Sequence, residues 1–313
     1  MTAVGPTNQP EDDRGPVEGV WESVESQVQE WEAQVREANE RIDKAAGRPL
    51  WAAILVGLGL GGLLLASVLI HPLIFSAVIA VLQVLAVWEL VGALRAKGAK
   101  LSRLGLGILA LAVSTGAYLD GARGLMLGFG AALVTALVFR LGAAVLPSHR
   151  EALRADMPQG MLVLAYLGIL PATAVALART EDGAWWIISV MIAVVAIDTT
   201  AYAVGRAMGR HKLAPSISPG KTWEGFAGAA LAGVLAGAAV GVLLLGIGPG
   251  WGAIFGLGML VTATGGDLVE SLIKRGLGVK DMSTLLPGHG GVLDRLDSAM
   301  PSVALGYLLS FVL

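Results

Sequence analysis

Long apolar stretches separated by short polar segments run from residue 49 to the last residue of the chain. A membrane-spanning helix needs about 20 apolar residues, and several stretches reach that length. The pattern predicts spans at 50–70, 73–94, 104–119, 122–141, 160–178, 184–205, 226–246, 250–265 and 292–313. We therefore expect an all-α fold, a polytopic transmembrane helical bundle of about nine spans over residues 49–313.

The first 48 residues are polar and follow different patterns. Residues 1–16 mix polar residues with Pro and Gly and predict a disordered tail. Over residues 17–48 the apolar positions are separated by alternating steps of three and four, which is typical of a heptad helix. These positions are Trp21, Val24, Val28, Trp31, Val35, Ala38 and Ile42. We expect a cytoplasmic amphipathic helix, which either packs against protein or stays solvated.

Composition supports a membrane protein. The chain is 55% hydrophobic and 15% charged, with a mean hydropathy of +0.71, whereas soluble domains average about 25% charged residues. Its 43 glycines favour close helix packing in lipid. It contains no cysteine, which excludes disulfides, thiolate metal sites and thiol nucleophiles.

Basic residues concentrate in every second loop, which predicts a cytoplasmic N-terminus by the positive-inside rule. The basic segments contain Arg41, Lys44, Arg48, Arg95, Lys97, Lys100, Arg103, Arg150, Arg154, Arg206, Arg210, Lys212, Lys221, Lys274, Arg275, Lys280 and Arg295. The net charge is −2. Residues 1–48 hold 11 acidic and 5 basic residues, a net of −6, so the remainder is −2 − (−6) = +4. A slightly basic membrane body suits anionic ligands.

Three familiar motifs are excluded by their context. The G-x-G-x-x-G that begins at Gly57 lies inside an apolar span, without the strand that a dinucleotide fold requires. The run from Gly220 to Thr222 resembles the end of a P-loop, but Pro215 replaces the required earlier glycine. The four histidines lie far apart in the sequence and form no zinc-binding pattern.

The segment 265–298 concentrates the residues that can carry phosphate chemistry. Asp267, Glu270, Ser271 and Lys274 follow i, i+3, i+4, i+7 spacing and would share one helical face. A glycine-rich turn follows, and then Asp294, Arg295, Asp297 and Ser298. Carboxylates can bind Mg²⁺, the bases can neutralise phosphates, and the backbone N–H groups of Gly290 and Gly291 suit phosphate oxygens.

Two other positions stand out because they place charge near or within an apolar span. Asp198 lies eight residues before Arg206, about 12 Å from the helix end at 1.5 Å per residue. An ionisable residue at that depth is a functional candidate by default, although it could also bond a neighbouring helix. Ser216, Ser218, Lys221 and Thr222 form a polar loop on the same side. For Glu89, near the inner end of the second span, a structural role is favoured.

The run from Ser271 to Asp297 resembles the signature of phosphatidate cytidylyltransferases. The matching positions are Ser271, Lys274-Arg275, Lys280-Asp281, Pro287, His289-Gly290-Gly291, Asp294-Arg295 and Asp297. The upstream run ISPGKTWEG, from Ile217 to Gly225, is similar to a second segment of that family. The chain differs from the usual pattern at Gly220 and at Met282-Ser283.

This resemblance implies that the phosphate of phosphatidic acid attacks the α-phosphorus of CTP and that pyrophosphate leaves. The catalytic residues it implies are Asp267, Asp294, Lys221, Lys274, Arg275 and Arg295. Substrate binding is expected at Ser218, Lys221, Thr222, Ser271, Lys280, His289, Gly290 and Gly291. The expected cofactor is Mg²⁺, with K⁺ as a candidate second cation. Its expected ligands are Asp267 and Asp294, supported by Asp198 and Asp297.

The resemblance also implies location and partners. We expect an integral protein of a bacterial plasma membrane with the active site facing the cytoplasm. Its expected partners are CTP, phosphatidic acid and membrane lipid but no nucleic acid, and a homodimer is compatible with the sequence. Two alternatives stay open: a CTP-dependent enzyme acting on an ether-linked lipid phosphate, and a transporter, which would place charge at mid-membrane.

Overall fold

The computed structural model describes residues 50–144, 150–279, 282–283 and 290–313. The chain divides into two compact units, Met1–Ile54 and Leu55–Leu313. Of the first unit, only the start of the first helix is described. The predicted tail over 1–16 and the predicted helix over 17–48 therefore lie outside the described residues, and both stay predictions.

Helices account for most of the described residues. They are α1 (Leu50–Ile70), α2 (Pro72–Ala96), α3 (Arg103–Ala144), α4 (Arg150–Leu164), a π-helical turn (Ala165–Ile169), α5 (Leu170–Ala178), α6 (Gly183–Met208), α7 (Trp223–Leu243), α8 (Gly248–Gly276), α9 (Leu293–Leu296) and α10 (Ala299–Leu309). Two short strands, β1 (Lys212–Ala214) and β2 (Ser218–Thr222), pair antiparallel between α6 and α7.

Six helices in the described part of the chain are long and apolar enough to cross a membrane. They are Pro72–Ala96, Arg103–Phe139, Asp156–Ala178, Gly183–Met208, Trp223–Leu243 and Gly248–Gly276. Gly57–Ile70 and Ala299–Leu309 are shorter apolar helices. The expectation of a mainly helical, polytopic membrane protein is confirmed in this form.

Helix α3 contains a sharp break at Asp120 and Gly121. Gly121 has φ 54° and ψ −131°, a backbone conformation that favours glycine because a side chain would clash there. After the break the chain doubles back on itself. A Cβ atom on Gly116 would lie 2.4 Å from the carbonyl oxygen of Gly124. The break falls between the third and fourth predicted spans, 104–119 and 122–141.

Glycines bring α7 and α8 into direct backbone contact. A Cβ on Gly237 would lie 2.2 Å from the carbonyl oxygen of Gly252, and one on Gly256 would also collide with the Gly233 carbonyl. Small residues permit such approach in lipid, where helices gain little from burying apolar surface against each other. The high glycine content of the sequence is thus used here for helix packing.

A buried polar network joins α2, α3 and the π-helical turn. Gln83 donates from Nε2 to the carbonyl oxygens of Ala110 (3.1 Å) and Leu167 (2.7 Å). Its Oε1 accepts from the hydroxyl of Ser114 at 2.9 Å. A π-turn disturbs the regular i→i−4 bonding of a helix, and the Gln83 amide satisfies a carbonyl within this turn.

The structure corrects the predicted boundaries at three places. The loop after α6 forms the β1–β2 hairpin, which an all-α prediction does not contain. The predicted span 292–313 is divided into α9 and α10 at Asp297 and Ser298, where the Ser298 N–H bonds the Asp297 side chain at 2.7 Å. The predicted span 250–265 is too short, because α8 continues as one helix to Gly276.

Candidate active site

The continuation of α8 carries the predicted polar face. Asp267, Glu270, Ser271 and Lys274 all lie on this single helix, and the Ser271 hydroxyl donates to Asp267 Oδ1 at 3.2 Å. Glu270 is fully buried, whereas the Asp267 side chain is 34% exposed. The predicted common face is confirmed, and its members differ in how far they are accessible.

The β1–β2 hairpin brings Lys221 to this face. Lys221 Nζ lies 2.7 Å from Asp267 Oδ2. Lys221 is held in place because the next residue, Thr222, caps α7 by accepting the Gly225 N–H at 3.1 Å. Arg275 donates to the carbonyl oxygen of Ile217 at 3.2 Å, which ties the end of α8 to the same hairpin.

Two further carboxylates lie close to this ion pair. Asp198, on α6, interacts with Lys221, Asp267 and the Ser298 hydroxyl. Asp297, between α9 and α10, interacts with both Asp267 and Asp198. We call Asp198, Lys221, Asp267 and Asp297 the open cluster. Its residues come from α6, β2, α8 and the junction between α9 and α10. Three of them, Asp198, Asp267 and Asp297, were predicted as metal ligands.

We call Glu270, Lys274 and Asp294 the closed group, because their charges pair with one another inside the protein. Lys274 Nζ bonds Glu270 and also lies 2.9 Å from Asp294 Oδ1. Asp294 Oδ2 accepts the N–H groups of Met282 (3.2 Å) and Gly291 (2.7 Å). Both oxygens of Asp294 are therefore engaged within the protein. In this conformation Asp294 anchors the turn before α9, and the Gly291 N–H is not available to a phosphate.

Glu89 on α2 holds the same turn from the opposite side. Its carboxylate accepts the N–H groups of Val292 (2.9 Å) and Leu293 (3.0 Å) and the Ser283 hydroxyl (2.7 Å). The first N–H groups of a helix have no intrahelical partner, and here a buried carboxylate from another helix supplies one. A Cβ on Gly291 would lie 2.6 Å from Glu89 Oε2, so this approach depends on glycine.

The environment shifts the pKa values of two neighbouring acids in opposite directions: Asp294 within α9 and Asp297 directly after it, both outside the long apolar helices. Burial alone would raise the pKa of Asp294, but hydrogen bonds from the Gly291 N–H and the Lys274 ammonium hold that pKa below its usual value. Burial, reinforced by the nearby charge of Asp267, raises the pKa of Asp297 to about 7. Asp297 is therefore the acid that a bound cation would relieve most.

The other residues that were predicted to act in catalysis or to bind substrate lie in several different elements. Ser218 lies in β2 and Arg295 is exposed on α9. Thr222 is only 5% exposed and serves as the cap of α7. Gly290 has φ 79° in the turn before α9. Lys280 and His289, both predicted to bind substrate, lie outside the described residues.

Sequence reasoning assigned no function to Glu270 and favoured a structural role for Glu89. The spacing of Glu270 on the α8 face was a usable signal, since it placed this acid one turn from Lys274. For Glu89 the only signal was a charge near the end of an apolar span. Its partners, 203 and 204 residues later in the chain, leave no trace in local sequence.

The open cluster offers the right kind of donors for a hard cation. Mg²⁺ is bound by carboxylate oxygens, and Asp198, Asp267 and Asp297 supply them near Lys221 and Lys274. Within the described ranges, no three His, Asp or Glu side chains converge closely enough to form a ready-made metal site. The donor type suits Mg²⁺, but the described side chains do not form a preassembled site, and the metal assignment stays a prediction.

Comparison with known proteins identifies relatives over almost the whole membrane body. The profile described as "Cytidylyltransferase family" matches residues 51–313. A Mycobacterium bovis protein named phosphatidate cytidylyltransferase is 37% identical over 275 residues, which cover 84% of this chain and 89% of that protein. A Mycobacterium leprae protein of the same name is 38% identical, with 84% and 88% covered. One from Brucella abortus is 43% identical over 152 residues, 48% of this chain and 56% of its own length.

Proposed function

Because the chain belongs to the cytidylyltransferase family, we propose that it transfers the cytidylyl group of CTP to phosphatidic acid, forming CDP-diacylglycerol and pyrophosphate. The observation that carries this proposal is the 37% identity, over 84% of the chain, to relatives named phosphatidate cytidylyltransferase. The open cluster supports it, since lysine and carboxylates meet there as phosphoryl chemistry requires.

In the reaction, an oxygen of the lipid phosphate forms a bond to the α-phosphorus of CTP. The bond from that phosphorus to the β-phosphate breaks, and pyrophosphate leaves. The attacking phosphate is already largely ionised near neutral pH, so a general base is not required. Catalysis then consists of positioning the two substrates and neutralising their charge.

We assign positioning to the open cluster and support to the closed group. Lys221 is the base nearest the open carboxylates and would neutralise phosphate oxygens. Asp198, Asp267 and Asp297 would hold Mg²⁺, which would supply positive charge to the nucleotide phosphates. Asp294, Glu270 and Lys274 keep the turn before α9 in place. Ser218, Ser271, Arg275 and Arg295 border this region and are candidates for substrate contacts.

An apolar cavity next to the cluster supports a lipid substrate. It lies between α2, α5, α6 and α10, and its walls include Phe75, Ile79, Leu170 and Met191. Leu296 and Ala299, which flank Asp297 and Ser298, also line it. Gln83 is a polar residue in the wall, and its amide is engaged in the network described above. Such walls suit a hydrocarbon chain.

We also propose nine membrane crossings with a cytoplasmic N-terminus. The six long apolar helices, the two shorter ones and the reversal within α3 together support that number. The basic loops support the orientation. Lys221 of the open cluster lies in the β1–β2 hairpin, which belongs to a basic loop, so the active site would face the cytoplasm. The bacterial relatives support a bacterial plasma membrane.

The proposal is tested with purified protein in liposomes that contain phosphatidic acid, to which labelled CTP and Mg²⁺ are added. Label should appear in CDP-diacylglycerol, with equimolar pyrophosphate. Phosphatidylcholine liposomes are the control, and liposomes with an ether-linked lipid phosphate test the alternative substrate. Absence of lipid-linked cytidine with phosphatidic acid would refute the proposed function.

A further inference from the structure

A tyrosine outside the predicted site lies within electrostatic range of its carboxylates. Tyr166 lies in the π-helical turn Ala165–Ile169 and is only 8% exposed. Its side chain interacts electrostatically with the carboxylates of Asp297, Glu270 and Asp267. Two of these acids belong to the open cluster, and Glu270 is their neighbour on α8.

The Tyr166 hydroxyl is buried and has no hydrogen-bond partner among the described residues. A buried tyrosine hydroxyl usually has a partner, and leaving such a group unsatisfied costs roughly 1–3 kcal/mol. An unsatisfied hydroxyl next to a candidate active site indicates that its partner is a bound molecule.

The rest of the Tyr166 side chain is held firmly. Its ring is buried in the apolar cluster that also includes Leu293, Leu296 and Met300. The backbone of the turn is fixed by the bond from Gln83 to the Leu167 carbonyl. π-turns occur frequently at functional sites, and this one presents a rigidly placed donor.

The chemistry of the surroundings limits what the hydroxyl can bind. A phenol is a good donor to anionic oxygen. A substrate phosphate held at the open cluster would bring such oxygens among Asp267, Asp297 and Tyr166. Lys221 lies in the hairpin and Tyr166 in the π-helical turn, so the two donors to a phosphate would come from different elements.

We infer that Tyr166 is a further substrate-binding residue, whose hydroxyl donates a hydrogen bond to a phosphate oxygen of a substrate at the open cluster. The inference rests on the proposed function. The oxygen can belong to the lipid phosphate or to CTP, and kinetics with each substrate varied separately distinguishes the two.

The test is Tyr166→Phe, which removes only the hydroxyl. The kcat/KM should fall about 10- to 100-fold, as expected for one hydrogen bond to a charged group. A raised KM for phosphatidic acid assigns the bond to the lipid, and a raised KM for CTP assigns it to the nucleotide. A fall in kcat alone assigns it to the transition state. The Tm should be unchanged or higher, because the hydroxyl has no partner within the described protein.

The matched control is Tyr307→Phe. Tyr307 is also buried, at 5% exposure, and it packs against Phe311 with ring centroids 4.9 Å apart. This variant should keep wild-type kinetics. Tyr166→Phe kinetics within twofold of wild type would overturn the inference. Loss of the fold would overturn it as well, since it would mean that the hydroxyl has a partner within the protein. Wild-type protein inactive on every lipid would instead refute the proposed function.

Discussion

At the scale of single residues, the structure divides acids that look equivalent in sequence. Asp267 and Asp294 were both predicted as metal ligands. Asp267 is partly exposed and bonds Lys221 and Ser271. Asp294 is 6% exposed at its side chain and accepts two backbone N–H groups as well as Lys274. The same substitution at these two positions should therefore have different consequences.

We expect Asp267→Asn to lower turnover at least about 100-fold, roughly 2.7 kcal/mol, with little change in Tm, because it removes charge from an accessible site.

Asp294→Asn should lower both turnover and stability, the latter by about 1–3 kcal/mol, because it disturbs a buried, hydrogen-bonded charge pair. Liposome assays and thermal unfolding measure these two effects.

Asp120→Asn is the control for both variants. Asp120 lies at the break in α3 with its side chain 61% exposed and pairs only at the surface with Arg123, so activity and Tm should be unchanged. Near-normal turnover of Asp267→Asn would remove that residue from the active site. An unchanged Tm for Asp294→Asn would contradict its anchoring role.

At the scale of elements, the turn before α9 is held by helices distant in sequence. Asp294 bonds this turn to α8 through Lys274, and Glu89 bonds it to α2. Because Asp297 directly follows α9, its position depends on these contacts. Helix α2 therefore contributes to the geometry of the open cluster without placing a side chain in it.

We expect Glu89→Gln to loosen this turn, since a neutral amide accepts hydrogen bonds more weakly than a carboxylate. Hydrogen exchange of the Val292 and Leu293 amides should become at least about tenfold faster, equal to 1.4 kcal/mol of local stability. Turnover should fall in parallel. Glu89→Asp keeps the charge and should lie between Glu89→Gln and wild type.

Gln83→Met is the control on the same helix. Gln83 is buried but bonds α3 and the π-turn instead of the turn before α9. The variant is expected to lower Tm without accelerating exchange at Val292 and Leu293. Protected amides in Glu89→Gln would mean that Glu89 does not hold the turn.

At the scale of the whole molecule, the open cluster takes Lys221 from one of the basic loops, the one that contains the β1–β2 hairpin. The β1–β2 hairpin precedes α7, and the short turn 244–247, which leads into α8 at Gly248, follows it. A helix of 21 residues is about 30 Å long, the thickness of the hydrocarbon core. The hairpin and that turn should therefore face opposite sides of the membrane.

Single-cysteine labelling in intact cells tests this arrangement. The chain contains no cysteine, so Ser216→Cys and Pro249→Cys can be labelled without background. Both positions are exposed. An impermeant thiol reagent should label position 249 from outside and position 216 only after the cells are opened. The opposite pattern would invert the proposed topology and place the open cluster outside.

The sequence by itself predicted a polytopic helical membrane protein, which the six long apolar helices confirm, because span length follows from local hydrophobicity. It also predicted the polar face of α8, since helical spacing fixes which residues share a side, and it located Lys221 and Asp198 as candidates. Only the tertiary structure decided that Asp267 is accessible while Asp294 is engaged, and that Glu89 and Tyr166 reach the same region. These contacts depend on how helices pack, and they join residues up to 204 positions apart, which no local pattern encodes.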